Sequence, residues 1–177
     1  MKFKELDLKG VFKIYSSNHN DKRGYFSRIY CKDSFKKKGL NYNWPQLNKS
    51  FNKKKYTFRG LHYQKKPYEE VKIVKCIRGE IIDLALDIRK KSKTYLKLIE
   101  IKLSSNENSL LYLPKGIAHG FLTTKNNTEI FYMHSKNYSK QSSVGINIFD
   151  KKIKTRIKKK IKIISTKDKN LENLDEL

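Results

Sequence analysis

Apolar residues recur along this chain mostly with a period of two. In Ile81-Ile82-Asp83-Leu84-Ala85-Leu86-Asp87-Ile88 the even positions are apolar, and Asp83, Ala85 and Asp87 fall on the opposite face. That alternation predicts a strand with one dry face. Residues 71–77 are rich in β-branched side chains and predict a second strand; Arg78-Gly79-Glu80 between the two reads as a hairpin turn. Further strands are predicted over 96–103, 110–113 and 129–134, with Ser104-Ser105-Asn106-Glu107-Asn108 as turn material. One short helix is expected, with Asp33 or Ser34 as its N-cap and Gly39 closing it after Lys36-Lys37-Lys38. Many short strands separated by turn signals predict an all-β sandwich or barrel.

Residues 151–164 carry eight basic side chains and no acid, yet Ile153, Thr155, Ile157, Ile161 and Ile163 all fall on odd positions. The alternation predicts an edge strand whose outer face is guarded by Lys. Composition then narrows the class. The 177 residues suffice for one sizeable core, so a single domain over 1–177 is expected. Aromatics at 12% separate the chain from disordered basic tails. Two Cys give neither a disulfide framework nor zinc-finger spacing. No apolar run approaches the roughly 18 residues of a membrane-spanning helix, and Met1-Lys2-Phe3-Lys4-Glu5-Leu6-Asp7 lacks the apolar stretch of a signal peptide. A soluble, cytoplasmic protein is expected.

The net charge of +24 fits a nucleic-acid binder. Only six of the 41 basic residues are Arg, however, and Arg is the side chain suited to bidentate phosphate and base contacts. Charge alone therefore decides nothing, and a basic nucleic-acid-binding β-barrel stands as an alternative of another class.

Two of the four His lie in unusual surroundings: His62 in Arg59-Gly60-Leu61-His62-Tyr63-Gln64, and His119 in Pro114-Lys115-Gly116-Ile117-Ala118-His119-Gly120-Phe121. The second string has the P-x-G-x-x-H spacing of cupins, small double-sheet β-barrels. Metal-binding cupins pair two His two residues apart, followed by Glu and Gly; here Gln64 replaces the second His, with Glu69 or Glu70 and Gly79 after it. Such a set would hold a metal weakly, and a metal-dependent oxygenase is a further rival. The preferred reading is a metal-free barrel that uses His62 as a base.

Taken together, those two strings resemble the dTDP-4-dehydrorhamnose 3,5-epimerase family. Asp21-Lys22-Arg23-Gly24-Tyr25-Phe26, Gln46-Leu47-Asn48-Lys49-Ser50, Val71-Lys72-Ile73-Val74 and Ser165-Thr166-Lys167-Asp168 agree in order and spacing. The resemblance implies a cupin-type double-stranded β-helix (jelly-roll) barrel with one or two short helices. It implies a homodimer without cofactor or metal, acting on a nucleotide-diphosphate 4-keto-6-deoxysugar, with no nucleic-acid or membrane partner. Its catalytic set maps onto His62 as base, Asp168 as the partner of His62, Tyr132 as proton donor across the ring and Lys72 near the developing oxyanion. Its substrate contacts map onto Arg23 and Arg59 for diphosphate and sugar, Gln46, Asn48, His119 and Lys167, with Tyr138 stacking on the base.

Three positions depart from the family pattern. Arg28 and Ser143 stand where Glu is usual, and Ile157-Lys158 replaces a Trp-Pro. Exchanging a carboxylate for Arg reverses local charge, so Arg28 and Ser143 are candidates for altered nucleotide or sugar preference. A 3-only epimerase or a ketoisomerase on the same fold remains an alternative.

Overall fold

Every stretch with strong two-residue alternation forms a strand, except the last. In the computed structural model, residues 1–176 are described. The strands are β1 (Lys2–Glu5), β2 (Phe12–Tyr15), β3 (Asn18–Asp21), β4 (Gly24–Ser27), β5 (Gln46–Asn52), β6 (Phe58–Gln64) and β7 (Lys72–Arg78). They continue with β8 (Glu80–Asp87), β9 (Leu98–Ser104), β10 (Ser109–Leu113), β11 (Ile117–Thr123), β12 (Thr128–His134) and β13 (Ser143–Gly145). A six-stranded sheet in the order β1-β2-β10-β7-β12-β5 faces a five-stranded sheet in the order β13-β6-β11-β8-β9. This is the expected all-β, cupin-type architecture, with two short helices, α1 (Lys32–Lys37) and α2 (Thr166–Lys169).

Three features differ from the sequence expectation. First, Arg78-Gly79-Glu80 is not a hairpin turn. β7 pairs with β10 and β12, while β8 pairs with β9 and β11, so Gly79 (φ +81°) carries the chain from one sheet to the other. A Cβ on Gly79 would lie 2.5 Å from Thr128 Oγ1, so close strand packing excludes a side chain there. Second, β8 has two dry faces. Leu84 and Leu86 pack outward against Phe58, Leu61, Ile146, Ile148, Ile153 and Ile157, while Ile81 and Ala85 join the core between the sheets with Val74, Leu111 and Phe121. The face carrying Asp83 is therefore the barrel interior. Third, residues 151–164 form turns and a 3₁₀ helix (Ile157–Lys160) rather than a strand, with one β-bridge, between Thr57 and Ile163. Ile153, Ile157 and Ile161 are spaced by four as well as by two. The outer surface of the five-stranded sheet takes the first two as plugs and leaves Ile163 exposed. Accordingly, Ile157→Ala is expected to cost about 2–5 kcal/mol, and Ile163→Ala much less; urea titration of the two variants checks this.

The helix corrects a smaller detail. α1 starts two or three residues earlier than expected, with Cys31 at the N-cap position and Asp33 and Ser34 inside the helix. Seating Phe35, fully buried among Phe3, Tyr30, Trp44 and Tyr112, fixes the start. Gly39 (φ +71°) closes the helix as expected. α1 thus covers the outer face of the six-stranded sheet, and residues 146–164 cover that of the five-stranded one. The space between the sheets is left for a core at one end and a cavity at the other.

Candidate active site

The cavity opens between the two sheets and has a volume of about 560 Å³. Strand pleating explains most of its lining: β11 contributes His119 and Phe121, β7 Lys72, β12 Tyr132 and His134, and β5 Asn48 and Ser50, while Arg59 and His62 of β6, three residues apart, share the face through a register shift against β11. A second lobe of about 280 Å³ adjoins it, lined by Tyr138, Ser143 and Lys167 among others. His62, Lys72 and His134 line both lobes and so stand at their junction.

His62 Nε2 is 2.7 Å from Asp168 Oδ1, although the two residues are 106 positions apart. α2 delivers the carboxylate: Ser165 caps the helix by accepting from the Asp168 N–H, and Asp168 Oδ2 accepts from the Gly60 N–H. Burial pushes the Asp168 carboxyl up, but the His62 hydrogen bond and charge, the Gly60 N–H and Lys167 together hold it below its ordinary value. An ionised carboxylate only accepts, so His62 donates from Nε2, and Nδ1 is the ring nitrogen not engaged with Asp168. The Gly60 turn is tight: a Cβ there would meet Gly120 Cα at 2.6 Å, so glycine on both strands lets β6 and β11 bring His62 opposite His119.

Tyr132 stands on the facing sheet, its hydroxyl 3.1 Å from Ser50 Oγ. Burial raises its phenol well above the ordinary value, so it is protonated throughout the physiological range. Lys72 shares its face with Val74 and Cys76, and it does face the cavity, 9% exposed, with Nζ 3.1 Å from Glu70 Oε1. Arg59 is fixed by donating from Nε to Asn52 Oδ1 at 2.8 Å. His119 Nε2 is 2.9 Å from Oδ2 of Asp83, whose other oxygen is buried without a partner. Burial pushes the Asp83 carboxyl up, against the pull of His119 and Lys72.

Several expected residues lie apart from this group. Gln46 does not line the cavity; its Oε1 accepts from the Tyr138 N–H and so anchors the loop that carries that aromatic ring. Tyr138 is 58% exposed, at the rim of the second lobe with Ser143 and Lys167. Arg23 is paired with Asp21 on the β3–β4 hairpin, its side chain 90% exposed, and Arg28 is exposed just beyond β4; neither lines either lobe. Gln64, where metal-binding cupins carry a His, is occupied structurally. Its Oε1 accepts from the Ser139 N–H and its Nε2 donates to the Tyr68 and Asn137 carbonyls. Ser50, Asp83 and His134 were not expected in the site, nor was Glu70 as a partner of Lys72. The place of His134 follows from period two, since it sits two residues after Tyr132 on one strand. The sequence offers Glu70 only as one of two carboxylates, with Glu69, in the cupin metal pattern; it precedes β7, and nothing in the sequence marks it as the partner of Lys72.

The family model for dTDP-4-dehydrorhamnose 3,5-epimerase matches residues 5–176. A dTDP-4-dehydrorhamnose 3,5-epimerase of Sinorhizobium fredii is 35% identical over 178 residues, covering all of this chain and 91% of its own length. The Escherichia coli protein of the same name is 35% identical, covering 89% and 85%. The crystal structure of the Bacillus anthracis epimerase with TDP and PPi bound superposes with a TM-score of 0.93 at 30% identity, covering 98% of this chain and 99% of that one. Family model, relatives and fold point the same way: the chain belongs to the dTDP-4-dehydrorhamnose 3,5-epimerase family.

Proposed function

We propose that this isomerase inverts C3, C5 or both of a dTDP-linked 4-keto-6-deoxyhexose, in the synthesis of deoxysugars of the rhamnose type. One observation carries the reading: a base and an acid face one another across a single cavity, His62 from the five-stranded sheet and Tyr132 from the six-stranded one. The C4 ketone acidifies the neighbouring C–H bonds. His62 Nδ1 takes the proton, the bonding electrons move into the enolate with its charge on O4, and Asp168 stabilises the imidazolium. Lys72 supplies the positive donor for the enolate oxygen. Tyr132 returns a proton to the opposite face, and solvent resets both groups. Arg59, Asn48 and His119 contact sugar and diphosphate, while Lys167, Tyr138 and Ser143 serve the second lobe, with Tyr138 stacking on the base. A panel of dTDP-, GDP-, CDP- and UDP-linked 4-keto-6-deoxyhexoses in D₂O tests this by NMR. Inversion with deuterium at C3 and C5 of the dTDP sugar is the expected result. Label at C3 alone indicates a 3-only epimerase, and no label on any sugar counts against the reaction.

We also propose a homodimer in which Arg23 and Arg28 reach the site of the other subunit. The β3–β4 hairpin forms a sheet by itself and exposes Tyr25, Phe26 and, just beyond, Ile29; an isolated hairpin is marginal without a partner surface. β5, at the open edge of the six-stranded sheet, exposes Leu47 and Phe51 beside the cavity. Mixing Arg23→Ala with His62→Ala subunits is then expected to restore activity, because each heterodimer holds one intact site. No recovery after confirmed subunit exchange would count against sharing. Arg28→Glu is expected to change nucleotide or sugar preference across the same panel.

A further inference from the structure

One carboxylate ties together two cavity-lining side chains, Lys72, which the reaction scheme uses, and His134, which it does not. Glu70 Oε1 is 3.1 Å from Lys72 Nζ, and Oε2 is 2.9 Å from His134 Nδ1. All three side chains are nearly dry, at 8%, 11% and 13% exposure for Glu70, Lys72 and His134. Strand register builds the group: His134 on β12 lies directly opposite Lys72 on β7, two residues from Tyr132 on the same face. His134 Nε2 lies 3.3 Å from Asn48 Nδ2 on the third strand. An ionised Glu70 only accepts, so His134 donates from Nδ1 and accepts the Asn48 amide at Nε2.

A Glu needed only to neutralise buried Lys72 would leave its second oxygen to water or a backbone N–H. Here that oxygen is taken by an imidazole that itself lines the cavity and orients a cavity amide. The free ammonium of Lys72 has four flexible carbons and loses its aim unless something holds it. We propose that Glu70 and His134 are positioning residues: His134 fixes the Glu70 carboxylate, and Glu70 aims the Lys72 ammonium at the C4 oxygen of the sugar. The inference rests on the reaction proposed above. It places Glu70, His134 and Lys72 in one functional unit, distinct from the His62–Asp168 pair.

A double-mutant cycle on the epimerisation of the dTDP sugar tests it, with kcat and KM read separately and Tm as a control. Lys72→Met is expected to lower kcat by about 10²–10³-fold, the loss typical of one oxyanion donor. Glu70→Gln and His134→Ala should each lower kcat about tenfold with little change in KM, the size of a coupling within one network. The combination of Glu70→Gln with Lys72→Met should be no slower than Lys72→Met alone, because Glu70 then has nothing to aim. His134→Asn, which keeps a donor near Glu70, should recover part of the loss. Additive losses in the double variant, or losses that track a fall in Tm, would overturn the inference while leaving the reaction intact. A wild-type enzyme silent on every sugar of the panel would overturn both.

Discussion

His62→Ala is expected to lower turnover by about 10³–10⁴-fold, the upper range for removing a positioned acid–base group. It should also abolish deuterium wash-in at C3 and C5, because in the proposed reaction the enolate forms only when the imidazole paired with Asp168 takes the proton. The fold should survive. The His62 side chain is 39% exposed and packs into no core cluster, so its loss leaves no large dry void. Asp168 keeps the Gly60 N–H but loses the partner that most holds its carboxyl down. A carboxyl lowered in the folded state stabilises the fold above its unfolded-state value and ceases to as pH falls through the folded value. The Tm deficit of His62→Ala should therefore be larger near neutrality than in acid. Undiminished exchange in this variant would remove His62 from the base role.

Tyr132→Phe is expected to part the two halves of the reaction. Inversion should fall about 10²–10⁴-fold, while solvent exchange persists, because His62, Asp168 and Lys72 stay in place to form the enolate. Deuterium should then appear at C3 with the configuration retained, which NMR resolves directly. The change removes one hydroxyl and its bond to Ser50, a loss of about 0.5–1.5 kcal/mol in a side chain that otherwise keeps its packing. Full inversion by Tyr132→Phe would assign the acid to another group.

Local pattern made much of this legible. Strands 7, 8, 9, 10 and 12 follow from alternation and β-branching, and the motif residues His62, Lys72 and Tyr132 line one cavity with Asp168 against His62. Alternation does not say what covers a face. The Asp83 side of β8 has the composition of a wet surface, yet it points between the sheets, where Asp83 meets His119. Nor does a glycine between two strands say whether they pair, and Gly79 joins two that do not. In residues 151–164 a spacing of two and a spacing of four coincide, and the choice was made by the apolar surface waiting on the five-stranded sheet. The Glu70–His134–Lys72 group depends on register across three strands, which no single stretch of sequence contains. Arg23 and Arg28, expected at the site from the motif, lie on or just beyond the exposed β3–β4 hairpin, which no local pattern predicts.

The carboxylate that orients the base lies beyond the last strand of either sheet, on a helix of four residues held through Ser165, His62, the Gly60 N–H and the Asn147 side chain. A molecule cut after residue 164 would keep the residues of every strand and lack Asp168. Under the proposed mechanism, damage to the residues around Asp168 would therefore read out as lost catalysis, which makes activity a reporter on the C-terminal segment.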